Sequence, residues 1–201
     1  MSSPSEKRVF VYEHLSKLLT YHPLTGLMYW KQRPKSYGGR GGWHPLKPAG
    51  SISGQGYRQL TATICGKPHD VKQHNLAWFI AFGKIPKEGF SIDHKNNQRL
   101  DNRLENLRVL SHCGQAISKS KVRNLPPWVY WRKNLNKYSS RIVVKGKLKY
   151  LGHFTIPWQG HTKAADFAIK NGLISADEYA LLIAEWKESQ GGQQCLSFGR
   201  V

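Results

Sequence analysis

The sequence predicts an α+β chain of two small modules, and three features predict it. Between residues 90 and 120 the polar and apolar residues fall in the order strand, loop, strand, helix. Trp128-Val-Tyr-Trp-Arg, Lys137-Tyr-Ser-Ser-Arg-Ile-Val-Val and Leu148-Lys-Tyr-Leu-Gly-His-Phe then read as three successive strands. Their turns are Asn134-Leu-Asn136 and Lys145-Gly146-Lys147, and a helix pattern follows. Between the modules lies Asn124-Leu-Pro-Pro, whose two prolines cannot continue a helix. The expected domains are residues 1–121 and 122–188, with a flexible Gly/Gln-rich tail at 189–201.

Each element has a local reason. Val11, Leu15, Leu18 and Leu19 share one face of a helix expected over residues 5–20, capped by Ser5 and stopped by Pro23. Gly26 to Gln32 reads as a short strand. Residues 33–50 read as a Gly/Pro/basic surface loop containing Gly38-Gly39-Arg40-Gly41-Gly42. Tyr57 to Ile64 alternates as a strand, turns at Cys65-Gly66-Lys67-Pro68 and returns near Asp70-Val71-Lys72. His74 to Phe82 is apolar enough for a buried helix, with Trp78, Phe79 and Phe82 as core, ended by Gly83 and Pro86. After the strands, Thr162 is expected to cap a helix from Lys163 to Lys170, ended by Asn171-Gly172. A last helix over 176–188 places Tyr179, Leu182, Ile183 and Trp186 on one face.

Charge narrows the function classes. The 201 residues include 31 Lys+Arg against 12 Asp+Glu, a formal charge of +19. Such a balance favours a polyanionic partner, nucleic acid before an anionic membrane. Glu105 is followed by no acid until Asp166, and those 60 residues carry 12 Lys or Arg. Solvated faces mix both signs, so this stretch reads as a nucleic-acid-binding surface. A 39% hydrophobic content argues against wholesale disorder, and no apolar run is long enough to span a bilayer. No signal-peptide core follows Met1, and Cys65, Cys113 and Cys195 have no paired spacing. Both features point to a reducing, cytoplasmic compartment.

The densest polar chemistry lies in residues 89–120, where residues 92–94 are Ile-Asp-His. A carboxylate is a hard ligand for Mg²⁺ or Mn²⁺, and an imidazole can take a proton from water near neutral pH. Phosphodiester hydrolysis needs both roles. Neighbouring side chains on a strand point to opposite faces, so the strand must end or bend at the pair; Lys95-Asn96-Asn97 is suitable turn chemistry. Lys95, Arg99 and Arg108 are candidate phosphate holders. Cys65, His69 and His74 offer three nitrogen and sulfur donors but no CxxC and no fourth ligand, which argues against structural zinc. A nucleophilic role for Cys113 lacks a partner base.

The run Leu76-Ala-Trp … Ile92-Asp-His-x-Asn96 … Asp101-Asn-Arg-x-x-Asn106-Leu-Arg-Val resembles the HNH family of endonucleases, in the branch common among phage and intron-borne homing enzymes. The resemblance runs from about residue 10 to residue 120 and implies a ββα-metal domain. On that resemblance His94 is the general base, Asn106 holds the loop that carries it, and Asp93 binds one divalent cation, Mg²⁺ or Mn²⁺. The second ligand falls at Gln115, where the family usually has His or Asn; His112, three residues earlier, is a substitute. His74 stands where the family commonly has a structural histidine.

Residues 128–172 resemble the ethylene-response-factor type of DNA-binding domain. The matching residues are Val129-Tyr-Trp131-Arg132-Lys133, Lys137-Tyr138-Ser-Ser-Arg141-Ile, Gly146-Lys147, Tyr150-Leu-Gly152-His-Phe154 and Ala164-Ala165-Asp166. The resemblance implies a three-stranded sheet in the major groove of duplex DNA, with the helix behind it. Trp131, Arg132, Lys133, Tyr138, Arg141, Lys147 and Lys149 are the expected DNA-binding residues, with Arg132 and Arg141 suited to guanine and the lysines to phosphate. Trp128 departs from the pattern, which often has glycine there. The reading is a two-module, metal-dependent DNA endonuclease in the cytoplasm of a bacterial or phage-infected cell, a monomer that nicks or a homodimer that cuts both strands. Two rivals are a DNA-binding regulator with a degenerate nuclease site, which Gln115 would favour, and an RNA-binding module with a base-stacking sheet.

Overall fold

A computed structural model of the chain describes residues 3–31, 46–120 and 125–190. The Gly38–Gly42 run, Asn124, Cys195 and most of the expected tail lie outside the described residues. The chain forms two compact units, residues 1–88 with 92–109 and residues 89–91 with 110–201. Among the described residues no helix is long and apolar enough to cross a membrane.

In the first unit, helix α1 (Pro4–Leu18) starts one turn-defining pair earlier than Ser5: Ser3 is the cap, in a reciprocal capping box with Glu6. Pro4 at the first helical position, with its fixed φ, sets that start. The helix ends before Leu19, because strand β1 (Leu19–His22) pairs antiparallel with β2 (Leu27–Trp30). Leu19 is still buried, but from a strand rather than a helix face. A second sheet joins β3 (Ser51–Ile52), β4 (Arg58–Ile64) and β5 (Lys67–Lys72) in that order, with Leu60 opposite Val71. Helix α2 (Gln73–Phe82) follows directly and closes on left-handed Gly83, whose N–H returns to Phe79 O at 2.8 Å. Leu15, Met28, Leu60, Leu76 and Ala77 are the centre of this core. The rings of Trp78 and Phe82 meet at a tilt of 40° with centres 4.2 Å apart, Phe82 remaining exposed rather than in the core.

Strand β6 (Phe90–His94) pairs with β7 (Leu107–Ser111), which runs into helix α3 (His112–Ser120). The order strand, loop, strand, helix is therefore present, with a 3-10 turn at Leu104–Asn106 before β7.

The second unit contains an antiparallel sheet of β8 (Val129–Arg132), β9 (Lys137–Val144) and β10 (Lys147–Phe154), with β9 central. Helix α4 (Pro157–Lys170) begins five residues before Thr162, again with proline at its start. Thr162 is thus an interior residue whose Oγ1 donates to Trp158 O at 3.0 Å. Ala164, Ala165 and Ala168 form the small-residue face that lets α4 pack near Ile142, Val144 and Leu151. Helix α5 (Ala176–Ser189) packs on α3: Leu182 and Trp186 are buried, and Trp186 Nε1 donates to Ser120 O at 3.2 Å. Trp128 sits at φ 62, a region glycine enters without strain and other residues rarely do. Its ring stacks 5.7 Å from His161.

Candidate active site

The site is built by a loop whose residues 95–100 are exposed while Asn102 and Asn106 are buried. β6 ends at His94, and Asn97 takes the left-handed conformation with its N–H on His94 O at 3.0 Å. Asn96 Oδ1 accepts from Gln98 N, an Asx turn. Asn106 closes the loop: its Oδ1 accepts from Asn96 N at 3.1 Å and its Nδ2 donates to Asp101 O at 2.8 Å. Asp101 is gripped by Arg103 through two bonds of 2.9 Å and by Asn96 Nδ2. The bond from Arg103 is the largest cause that holds the Asp101 carboxyl down at about 2.

His94 is 5% exposed. Its Nε2 lies 3.0 Å from Asn102 Oδ1. An amide oxygen only accepts, so this bond places the ring proton on Nε2 and leaves Nδ1 as the basic nitrogen. Asn102 is buried, and its backbone is cradled: Tyr21 Oη donates to Asn102 O at 2.8 Å, and a Cβ on Gly26 would meet Arg103 N at 2.5 Å. Burial first, then Asp101, raises the Tyr21 hydroxyl to about 12, so it remains a donor. The imidazole also contacts His74, ring centres 5.1 Å apart, and Tyr57 at 6.1 Å. Burial, then the neighbouring His94 and Lys72, pushes His74 down to about 3. His74 is therefore a neutral, apolar-like wall.

Asp93 alternates to the other side of β6 and meets Arg108 of β7, Nε to Oδ2 3.2 Å, with both side chains largely buried. Lys95 donates its ammonium to Glu105 O at 2.7 Å. Arg99 donates to Gln55 O at 2.6 Å and lies 5.1 Å from the Tyr57 ring centre. Gln115 belongs to the second unit, on α3, where its Nε2 donates to Ser91 Oγ. His112 is exposed on the same helix. Burial and then Glu178 raise the Cys113 thiol to about 11, which leaves it protonated and a poor nucleophile at neutral pH.

HNH nucleases generally use a divalent cation. The donor chemistry here fits a hard one at Asp93, a carboxylate that also pairs with Arg108. Gln115, bonded through its nitrogen, keeps its amide oxygen as an acceptor. Among the described residues no three His, Cys, Asp or Glu side chains converge.

In the second unit the register sorts the expected DNA-binding residues by face. Val129 pairs with Ser140 and Trp131 with Tyr138, so these four share the side of the sheet that carries Ile142 and meets α4. Lys147 and Lys149 lie on that side too, and Lys149 Nζ is 5.8 Å from the Phe167 ring of α4. The opposite face carries Tyr130, Arg132, Lys137, Arg141, Val143, Leu148 and Tyr150. Arg141 stacks on Tyr130 at 4.1 Å. Lys133 is in the turn after β8. Of the expected set, Arg132 and Arg141 share the outer face, while Trp131, Tyr138, Lys147 and Lys149 do not.

Sequence reasoning missed Asn102, Tyr57 and Lys72. Asn102 stood in the Asp101-Asn-Arg run, and its burial in a loop was the feature no pattern exposes.

The HNH endonuclease family model matches residues 71–116. That segment is an HNH endonuclease domain, the domain of a DNA-cleaving hydrolase. Among solved structures, one described as "DNA binding and cleavage by the HNH homing endonuclease I-HmuI" is similar at 19% identity, with a TM-score of 0.33, over 76% of this chain and 77% of that one. A comparison with curated proteins finds no match.

Proposed function

We propose, from the HNH domain at 71–116, that the chain hydrolyses phosphodiester bonds of duplex DNA, with His94 as the general base. One observation carries the reading: the buried His94 ring is held by Asn102 through Nε2, which leaves Nδ1 as the nitrogen that can accept a proton. Asp93 would hold the divalent cation. Such a cation, when bound, stabilises charge on the phosphate and the leaving oxygen. His94 takes the proton of the attacking water at Nδ1. Asn106 keeps the loop, and Asn102 the ring, from turning away. The second unit would bind the same duplex by the outer face of its sheet, where Arg132 and Arg141 suit guanine edges, and by Lys133 at the rim. The charge of +19 supports a polyanionic partner.

The test is nicking of supercoiled plasmid carrying the gene's own flanking sequence, with Mg²⁺, Mn²⁺ or EDTA. Wild type is expected to relax or linearise the plasmid only with metal. His94→Ala is expected to lose about 10²–10⁴-fold in rate, the usual contribution of a general base, while still binding DNA. One specific observation favours a second reading, a DNA-binding regulator: Asp93 is paired with Arg108 and Gln115 with Ser91. Metal-independent, salt-sensitive binding without nicking, and nicking restored by Gln115→Asn, would establish that reading.

A further inference from the structure

Three phosphate holders were expected near His94, and each already has a local hydrogen bond. Lys95 gives its ammonium to Glu105 O, and Arg108 its guanidinium to Asp93. The third, Arg99, lies 5.1 Å from the centre of the Tyr57 ring. A cation not anticipated from the sequence joins it there: Lys72 Nζ is 4.5 Å from the same ring centre. Gln55 orients both, accepting from Arg99 at its backbone oxygen (2.6 Å) and from Lys72 at Oε1 (3.4 Å). The platform is fixed by a tight turn. Ser53 N–H donates to Tyr57 O at 2.8 Å, Gly56 N–H to Ser53 O at 2.8 Å, and Gly56 takes φ 77. The Tyr57 ring also touches His74 (5.1 Å) and His94 (6.1 Å).

Two like charges on one ring are a poor arrangement for an isolated protein. The ring's π face attracts each cation but neutralises neither. Among the described residues the ion pairs are Arg103 with Asp101 and Glu105, and Arg108 with Asp93; neither Lys72 nor Arg99 takes part. Asp70, the nearest acid along β5, accepts from Thr61 Oγ1 at 2.6 Å. Neither cation has an acid partner among the described residues, and the ring they share lies 6.1 Å from the His94 imidazole.

We propose that Tyr57, Lys72 and Arg99 form a phosphate clamp next to His94, which seats a backbone phosphodiester of the DNA strand being cut. The clamp rests on the nuclease reading for its role in cleavage, but its phosphate contacts are measurable without cleavage. It reads no sequence, because phosphate contacts position the duplex and do not discriminate bases.

The experiment uses the full chain, the nicking plasmid, and two labelled duplexes, one with the mapped nick site and one unrelated. Binding is measured without divalent metal over a salt series for wild type, Lys72→Gln, Lys72→Arg, Arg99→Gln and His94→Ala. Each Gln variant is expected to lower the slope of log K against log salt by about 0.9, one phosphate contact, on both duplexes. Each is expected to slow nicking about tenfold or more through kcat/KM, with Lys72→Arg recovering most of it and the melting temperature unchanged. Tyr57→Phe, which keeps the ring, should retain more activity than Tyr57→Leu. His94→Ala should keep the wild-type slope. The clamp is overturned if both Gln variants keep that slope, whether or not they nick. Failure of wild type to nick under any metal would instead remove the nuclease reading, and the slopes would still decide the clamp.

Discussion

Asn102 is the residue on which the geometry of His94 turns. Its side-chain oxygen takes the Nε2 proton, while its backbone is held by Tyr21 and packed against Gly26. Asn102→Ala would leave the imidazole without a partner and free to flip. We expect kcat to fall about 10- to 100-fold, part of the ~10²–10⁴ a general base contributes, with KM little changed. Nitrogen chemical shifts of His94 check the cause: a single Nε2-protonated tautomer in wild type and a mixture in the variant. A fall in KM's partner, DNA affinity, with the tautomer intact would refute the assignment. Residue chemistry with the turn at 95–97 made His94 legible as a candidate, and the HNH resemblance did so for Asn106. Asn102 was not legible, since nothing local says that a loop asparagine will be buried where Tyr21, 81 residues earlier, holds its carbonyl.

At the scale of elements, α3 and α5 are joined by one carboxylate. Glu178 Oε1 accepts from Ser111 N at 2.9 Å and Ser111 Oγ at 3.0 Å, at the start of α3. Ser111 Oγ in turn accepts from Gly114 N. A Cβ on Gly114 would sit 2.2 Å from Glu178 Oε1 and 3.1 Å from Leu182 Cδ1. Alanine for glycine inside a helix ordinarily stabilises by about 0.5–1 kcal/mol. Here Gly114→Ala is expected to destabilise by about 1–3 kcal/mol, the usual cost of overpacking. Paired with Glu178→Ala the penalty should shrink, giving a coupling of about 0.5–3 kcal/mol in a urea double-mutant cycle. Additive effects would show that the contact is not what excludes a side chain. Most helices and the longer strands were readable from period and punctuation, whereas the short strands β1 and β3 and the helix starts were not. Pro4 and Pro157 each open a helix that a hydroxyl residue further along had been expected to cap. Leu19 leaves the helix because β2 offers it a ladder, a choice that local propensity does not contain.

At the scale of the whole molecule, buried histidines set the response to acid. His161 is buried between Pro127 O (3.1 Å) and Tyr179 Oη (2.9 Å), and burial is the main cause that lowers it to about 4. His74 is lowered further, to about 3. In both, the folded state binds a proton less readily than the unfolded state, whose histidine titrates near 6.5. Their contribution is therefore complete above pH 6.5 and is lost as pH falls toward 4. The slope is at most about 1.4 kcal/mol per pH unit for each histidine. Urea midpoints at pH 7 and 4.5 should differ accordingly, and His161→Phe should flatten the dependence in its unit. An equal midpoint at both values would contradict the burial of these rings.

The role of Asn106 came with the HNH resemblance, whereas a mixed α+β chain, a polyanionic partner, the strand-loop-strand-helix order at 90–120 and the candidate pair Asp93-His94 were expected from the residues alone. Each depends on composition, on a period of two or 3.6, or on spacing along one short loop. Contacts decided the rest. They place α3 with the second unit by compactness, sort Arg132 and Arg141 onto one sheet face and Lys147 and Lys149 onto the other, and bring Lys72 to the ring of Tyr57. Strand register and the burial of a polar side chain depend on partners distant in sequence, and a one-residue shift of register reverses every face.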